Sequence, residues 1–137
     1  MAYKQKINKL NLALQGHSLR RSFPDSHLIV ERSCLTWMMN ITPTPLSCTY
    51  TVQLRYRLCE PPRVHVLDPP LVVQEGKNPP HTYSENQLCL YLPRAGEWRS
   101  DMFLSQTIVP WISEWLLHYE IWRATGKWCG GGIHPKR

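Results

Sequence analysis

In PPHTYSENQLCLYLP, residues 79–93, one histidine precedes one cysteine by eight positions. The cysteine, Cys89, lies between Leu88 and Leu90 in what reads as a short buried segment. A thiol in that setting can fill a core as a small hydrophobe, ligate a metal or attack an electrophile. As a nucleophile it suits acyl exchange between carriers. A thiolate attacks strongly and leaves readily, and a thioester is less resonance-stabilised than an amide. Attack on the acyl carbon builds a tetrahedral oxyanion, where one well-placed donor is worth about 2.7–4 kcal/mol. His81 can donate from either ring nitrogen, and it can instead take a proton from an incoming amine. Cys89 and His81 are therefore the candidate catalytic residues, with the donor or orienting role of His81 placed ahead of the base role.

Rival chemistry has less to stand on. A zinc site drawn from His81, Cys89, Cys129 and His134 has the spacing of no common module. The run Cys129-Gly130-Gly131-Gly132 follows no strand and precedes no Gly-Lys-Ser/Thr, so it is not a phosphate loop. No acidic partner for a protease-like triad is evident, and no cofactor or metal is called for.

The elements that must hold the pair in place are legible in outline. Tyr3, Ile7, Leu10 and Leu14 fall at helical spacing with lysines beside them, which predicts a basic amphipathic helix over 3–14 that stops at Gly16. Leu28–Val30 and Leu35–Ile41 are β-prone. In Tyr50–Leu58, Tyr50, Val52, Leu54, Tyr56 and Leu58 alternate with polar residues, so that one face is buried and the other is wet. Arg63–Leu67 makes a further strand. Residues 71–93 lack a regular period and carry Pro79, Pro80 and Pro93. From Ser100 the chain turns helical, with Thr107 as a possible cap, Pro110 early and Gly126 as the stop. Ile108, Trp111, Ile112, Trp115, Leu116, Tyr119 and Trp122 give that helix a broad apolar face, as a core helix requires. The order is helix, antiparallel meander, long irregular segment, core helix, which reads as α+β.

A chain of 137 residues, 42% of them hydrophobic, can bury one core, so a single domain over 1–137 is expected. There is no run of about 18 apolar residues to span a membrane. Five cysteines, odd in number and without a CxxC pair, fit a reduced, cytoplasmic protein better than a disulfide framework. A net charge of +6 can attract nucleic acid or an acidic protein face, but no nucleic-acid fingerprint accompanies it.

The motif order carries a resemblance. Pro61-Pro62-Arg63-Val64 follows the long strand, then come Pro80-His81, Cys89 and Trp98, and then the apolar helix. This resembles ubiquitin-conjugating enzymes, whose pattern is Pro-Pro-x-Val, His-Pro-Asn, a cysteine eight residues on and a tryptophan before the next helix. The runs HTYSENQLCLY, GEW, TIVPWISEWLLHYEIW and TGKWCGGGIH are similar to the conjugating-like proteins of short type II CBASS anti-phage operons. The resemblance implies a ubiquitin-conjugating-enzyme-like fold and a transferase that carries an acyl group as a thioester on Cys89. His81 takes the asparagine position of His-Pro-Asn, while Pro79 takes that of the histidine. The implied partner is a cGAS-like nucleotidyltransferase, joined through its C-terminal tail and primed for cyclic-oligonucleotide signalling. Because both polar residues of His-Pro-Asn are replaced, a non-catalytic scaffold for that partner is the alternative.

Overall fold

The computed structural model describes residues 10–130. In chain order these contain α1 (Leu12–Ser22), β1 (His27–Glu31), β2 (Cys34–Ile41), β3 (Tyr50–Arg57), β4 (Arg63–Asp68) and α2 (Ile108–Thr125). The strands form an antiparallel meander in the order β1-β2-β3-β4. The α+β order expected from the sequence is the one observed.

The alternation in β3 explains the sheet. Tyr50, Val52, Leu54 and Tyr56 are buried, whereas Arg55 and Arg57 face water. In-register neighbours repeat the pattern: Leu35 stands opposite Tyr56, and Trp37 opposite Leu54. One residue departs from it. Leu58, expected to point inward, lies past the end of β3 and is exposed, because the chain turns at Cys59 through a left-handed φ of 66°.

Both helices contribute to the one apolar cluster on the inner face of the sheet. Leu19 of α1 and Ile108, Ile112, Trp115, Leu116, Tyr119 and Trp122 of α2 join the inward strand residues. Tyr119 meets Tyr50 of β3 edge-on, with ring centroids 6.2 Å apart. Each such buried side chain contributes about 1.5–3 kcal/mol.

The two helix boundaries depart from expectation for local reasons. The helix predicted over 3–14 falls mainly outside the described residues. The described helix begins at Leu12, where the Asn11 side chain caps it by accepting from the Leu14 amide at 2.8 Å. Gly16 is thus inside α1 and not its stop. The helix passes close to β1 there, since a Cβ would lie 2.8 Å from Leu28 Cδ2 and the leucine side chain would have to shift. Phe23 closes the helix, with Pro24 next in the chain.

Helix α2 begins at Ile108, not near Ser100, because another group takes the backbone that precedes it. The fully buried Gln15 of α1 donates to the Met102 carbonyl at 2.8 Å and accepts from the Leu104 amide at 2.9 Å. Thr107 holds the cap position, but its hydroxyl donates back to the Phe103 carbonyl at 2.8 Å. Gly126 ends α2 in the left-handed conformation, as its position predicts.

Gln15 therefore ties α1 to the segment that leads into α2, through backbone groups that have little access to water. Gln15→Leu keeps the volume and leaves both groups unpaired, at about 1–3 kcal/mol each. Urea unfolding should show a loss of about 2–6 kcal/mol. A variant as stable as the parent would mean that these groups find other partners.

Candidate active site

The segment that carries Cys89 is a short loop closed on itself. Thr82 and Leu88 form an antiparallel bridge, and the Cys89 amide donates to the His81 carbonyl at 2.9 Å. Within the loop, the Tyr83 amide donates to the Gln87 carbonyl at 2.7 Å. The Thr82 hydroxyl donates to the Pro79 carbonyl at 2.8 Å. The Leu88 amide anchors the loop to the sheet through the Val64 carbonyl of β4, at 2.9 Å. Leu88 belongs to the apolar core, while Cys89 and Leu90 line a cleft.

His81 has a left-handed φ of 54°. Few non-glycine residues adopt it, but asparagine, aspartate and histidine do so several-fold more often than the rest. From α2, the Trp115 indole N–H donates to the same His81 carbonyl at 3.0 Å. The loop is thus fixed to the core helix as well as to the sheet.

The cleft has a volume of about 300 Å³. Cys89 and His81 both line it, so the structure brings the two sequence-derived candidates together. Each is 7% exposed, which makes the thiol recessed and not superficial. Trp115 and Trp111 of α2 form another side. After the stop at Gly126, the chain brings Trp128 over the site, with its ring centroid 5.1 Å from that of His81 and 5.4 Å from that of Trp115.

The sulfur lies 3.4 Å from the Tyr83 hydroxyl and 3.7 Å from the Tyr91 carbonyl oxygen. Burial, and then the hydrogen bond with Cys89, pushes the Tyr83 phenol well above its ordinary range. That phenol therefore stays protonated near neutral pH and can donate to a thiolate. Burial likewise raises Tyr91, with the Cys89 charge next in importance.

Two further polar groups of the cleft escape a reading of the sequence. Glu114 and His118, one turn apart on α2, line it together with Glu97. The His118 Nε2 lies 3.8 Å from the Glu114 Oε1. Both fall on a helix whose apolar stripe dominates its pattern. The available signal was a Glu–His pair at i, i+4 flanking Trp111 and Trp115. Cys129 is exposed, and His134 of the zinc alternative lies outside the described residues. Among the described residues, no three His, Cys, Asp or Glu side chains are placed to hold a metal ion. Nor is any described helix long and apolar enough to cross a membrane.

A family model described as Type II CBASS E2 protein matches residues 15–135. The chain belongs to that family, which gives it a conjugating-enzyme-like role in such a system. No curated protein matches the sequence.

Accessibility of the thiol is directly measurable. Cys48, Cys59 and Cys129 are exposed and Cys89 is buried. With iodoacetamide and peptide mass spectrometry, the three exposed thiols should be alkylated ahead of Cys89. Trp128→Ala should speed labelling of Cys89 several-fold. An unchanged rate in that variant would show that Trp128 does not govern access.

Proposed function

From membership of the type II CBASS E2 family, we propose that the chain is a single conjugating-enzyme-like domain, over 1–137, that carries an acyl group on Cys89. The carried group is the C-terminal residue of a cGAS-like nucleotidyltransferase. The transfer primes that enzyme for cyclic-oligonucleotide anti-phage signalling in the cytoplasm. The observation that carries the reading is the placement of a thiol and an imidazole in one cleft, locked by the hydrogen bond from the Cys89 amide to the His81 carbonyl.

Each group has a task in that chemistry. The Cys89 sulfur attacks the activated acyl carbon and leaves again when the group moves on. The Tyr83 hydroxyl, 3.4 Å away, offers a donor to the sulfur in its anionic form. His81 supports the loop, and its ring is the donor for the oxyanion. A left-handed backbone there suits histidine as it suits asparagine, which gives the exchange in the His-Pro-Asn pattern a conformational reason.

A second reading is favoured by the 7% exposure of Cys89. A recessed sulfur also suits a scaffold that holds the nucleotidyltransferase without forming a bond to it. Cys89→Ala separates the two. Full signalling and full complex formation in that variant would select the scaffold.

The carrier reading is tested by non-reducing mass spectrometry of the chain with its operon nucleotidyltransferase and an activating system. We expect a thiol-labile adduct with the wild type and none with Cys89→Ala. His81→Ala should slow turnover by about 10²–10³ while partner affinity changes far less. No cysteine-dependent adduct in any activated preparation would overturn the carrier reading, and an equal loss of turnover and affinity would make His81 structural.

A further inference from the structure

One wall of the thiol's cleft has no task in the reading above. Glu114 and His118 lie on α2, the side of the cleft contributed by the core helix, and Glu97 lines the same space. Among the described residues, neither lysine nor arginine lines this cleft. The carboxylates of Glu97 and Glu114 are the formal charges that the described lining carries. A site with that field favours a cation over an anion or a neutral group.

The two α2 residues differ in how they meet solvent. The Glu114 side chain is 68% exposed and that of His118 only 23%. The wet carboxylate can meet an arriving cation, and the imidazole is the recessed group that can take its proton. His118 is also held in place. Its ring lies 5.8 Å from that of Trp128, and Gly130 backs it so closely that a Cβ there would stand 3.0 Å from His118 Cδ2. Its Nδ1 is buried and meets no hydrogen-bond partner among the described residues, while its Nε2 faces Glu114 at 3.8 Å.

Resting on the carrier reading, we propose that His118 is the proton acceptor for a cationic primary amine that takes the acyl group from Cys89. Glu114 positions the imidazole, and Glu97 and Glu114 together select the ammonium. The amine enters as R–NH₃⁺ and gives one proton to the His118 imidazole, which passes it to solvent. The freed lone pair attacks the thioester carbonyl carbon, a C–N bond forms and the C–S bond breaks. The second surplus proton of the nitrogen leaves with the sulfur, restoring the Cys89 thiol and yielding an amide. No oxidant or further co-reactant is consumed.

A small acyl donor tests this without the biological partner. The full chain is treated with N-acetylglycine benzyl thioester, and the Cys89 adduct is followed by intact mass spectrometry. The adduct is then discharged with lysine, which is cationic, or with hydroxylamine, which is mostly uncharged near neutral pH and needs no deprotonation. The quantity read is the ratio of the lysine rate to the hydroxylamine rate. His118→Gln should lower that ratio by about 10- to 100-fold, the lower part of the usual range for proton-transfer catalysis. Glu114→Gln, a change at an exposed position that leaves the fold intact, should lower it by about 3- to 10-fold.

If Cys89 loads and the ratio stays at the wild-type value in both variants, the assignment of His118 and Glu114 is wrong and the carrier reading stands. An equal fall in both discharge rates makes the wall merely structural and also overturns the assignment. If the thioester leaves no adduct on Cys89, the carrier reading falls and takes the assignment with it.

Discussion

The carbonyl oxygen of His81 is the point on which the site depends. It accepts the Cys89 amide at 2.9 Å and the Trp115 indole N–H at 3.0 Å. One atom thereby closes the loop that carries the thiol and fastens it to the core helix. The need for such a point follows from the irregularity of residues 71–93, which lack the repeating ladder that orders a strand. Fixing each backbone residue costs about 1–2 kcal/mol in conformational entropy, which scattered contacts must offset. Here the contacts come from both neighbours. Val64 of β4 accepts the Leu88 amide. On the helix side, the Tyr119 hydroxyl accepts the Val72 amide at 2.8 Å, and the Gln74 side chain donates to the Arg123 carbonyl at 3.0 Å. The segment is ordered by its surroundings, not by its own period.

The same anchoring explains how a cysteine can be buried and still face a cavity. Successive side chains on extended backbone point to opposite sides. With Leu88 committed to the core at 3% exposure, Cys89 has to turn the other way, toward the cleft. Its low exposure therefore arises from what covers the cleft and not from membership of the apolar core. That cover includes Trp128, which reaches the site only because α2 stops at Gly126 and the chain turns back over its own helix. Burial leaves the sulfur polar company, because its neighbours include the Tyr83 hydroxyl and the Tyr91 carbonyl, and imidazoles line the cleft it faces.

The parts of this arrangement that were legible in the sequence share a physical cause. β3 was readable because one face of it is wet, so polar and apolar residues must alternate. Helix α2 was readable because its aromatic stripe has nowhere else to go. The helix expected over 3–14 lies mainly outside the described residues, and the described α1 runs on past Gly16. The residues that matter inside α1 are Gln15 and Gly16, a buried amide and a close approach that no hydropathy period reveals. Thr107 marked the start of α2 correctly, but the stretch from Ser100 to Thr107 was not legible as irregular, since a side chain 87 positions away claims the Met102 carbonyl. Cys89 and His81 stand out as candidates from their spacing and from the motifs around them, which are local. Glu97, Glu114 and His118 do not, because only the return of the chain after Cys89 brings them to the same cleft.

Net charge gave a blunt signal for a related reason. The solvent face of the sheet, opposite to that on which α2 packs, carries Arg55 directly across from Arg63, with Arg57 and His65 nearby. Like charges in direct cross-strand register oppose one another, and the structure tolerates this where water screens them. Burial, and then the two arginines, holds His65 below its ordinary range, against an opposing pull from Glu85. The thiol's cleft lies on the other side of the sheet and has carboxylates for its formal charges. The net charge of +6 carries no such placement, and Lys4, Lys6, Lys9, Lys136 and Arg137 lie outside the described residues, which is why it pointed only loosely to an anionic partner.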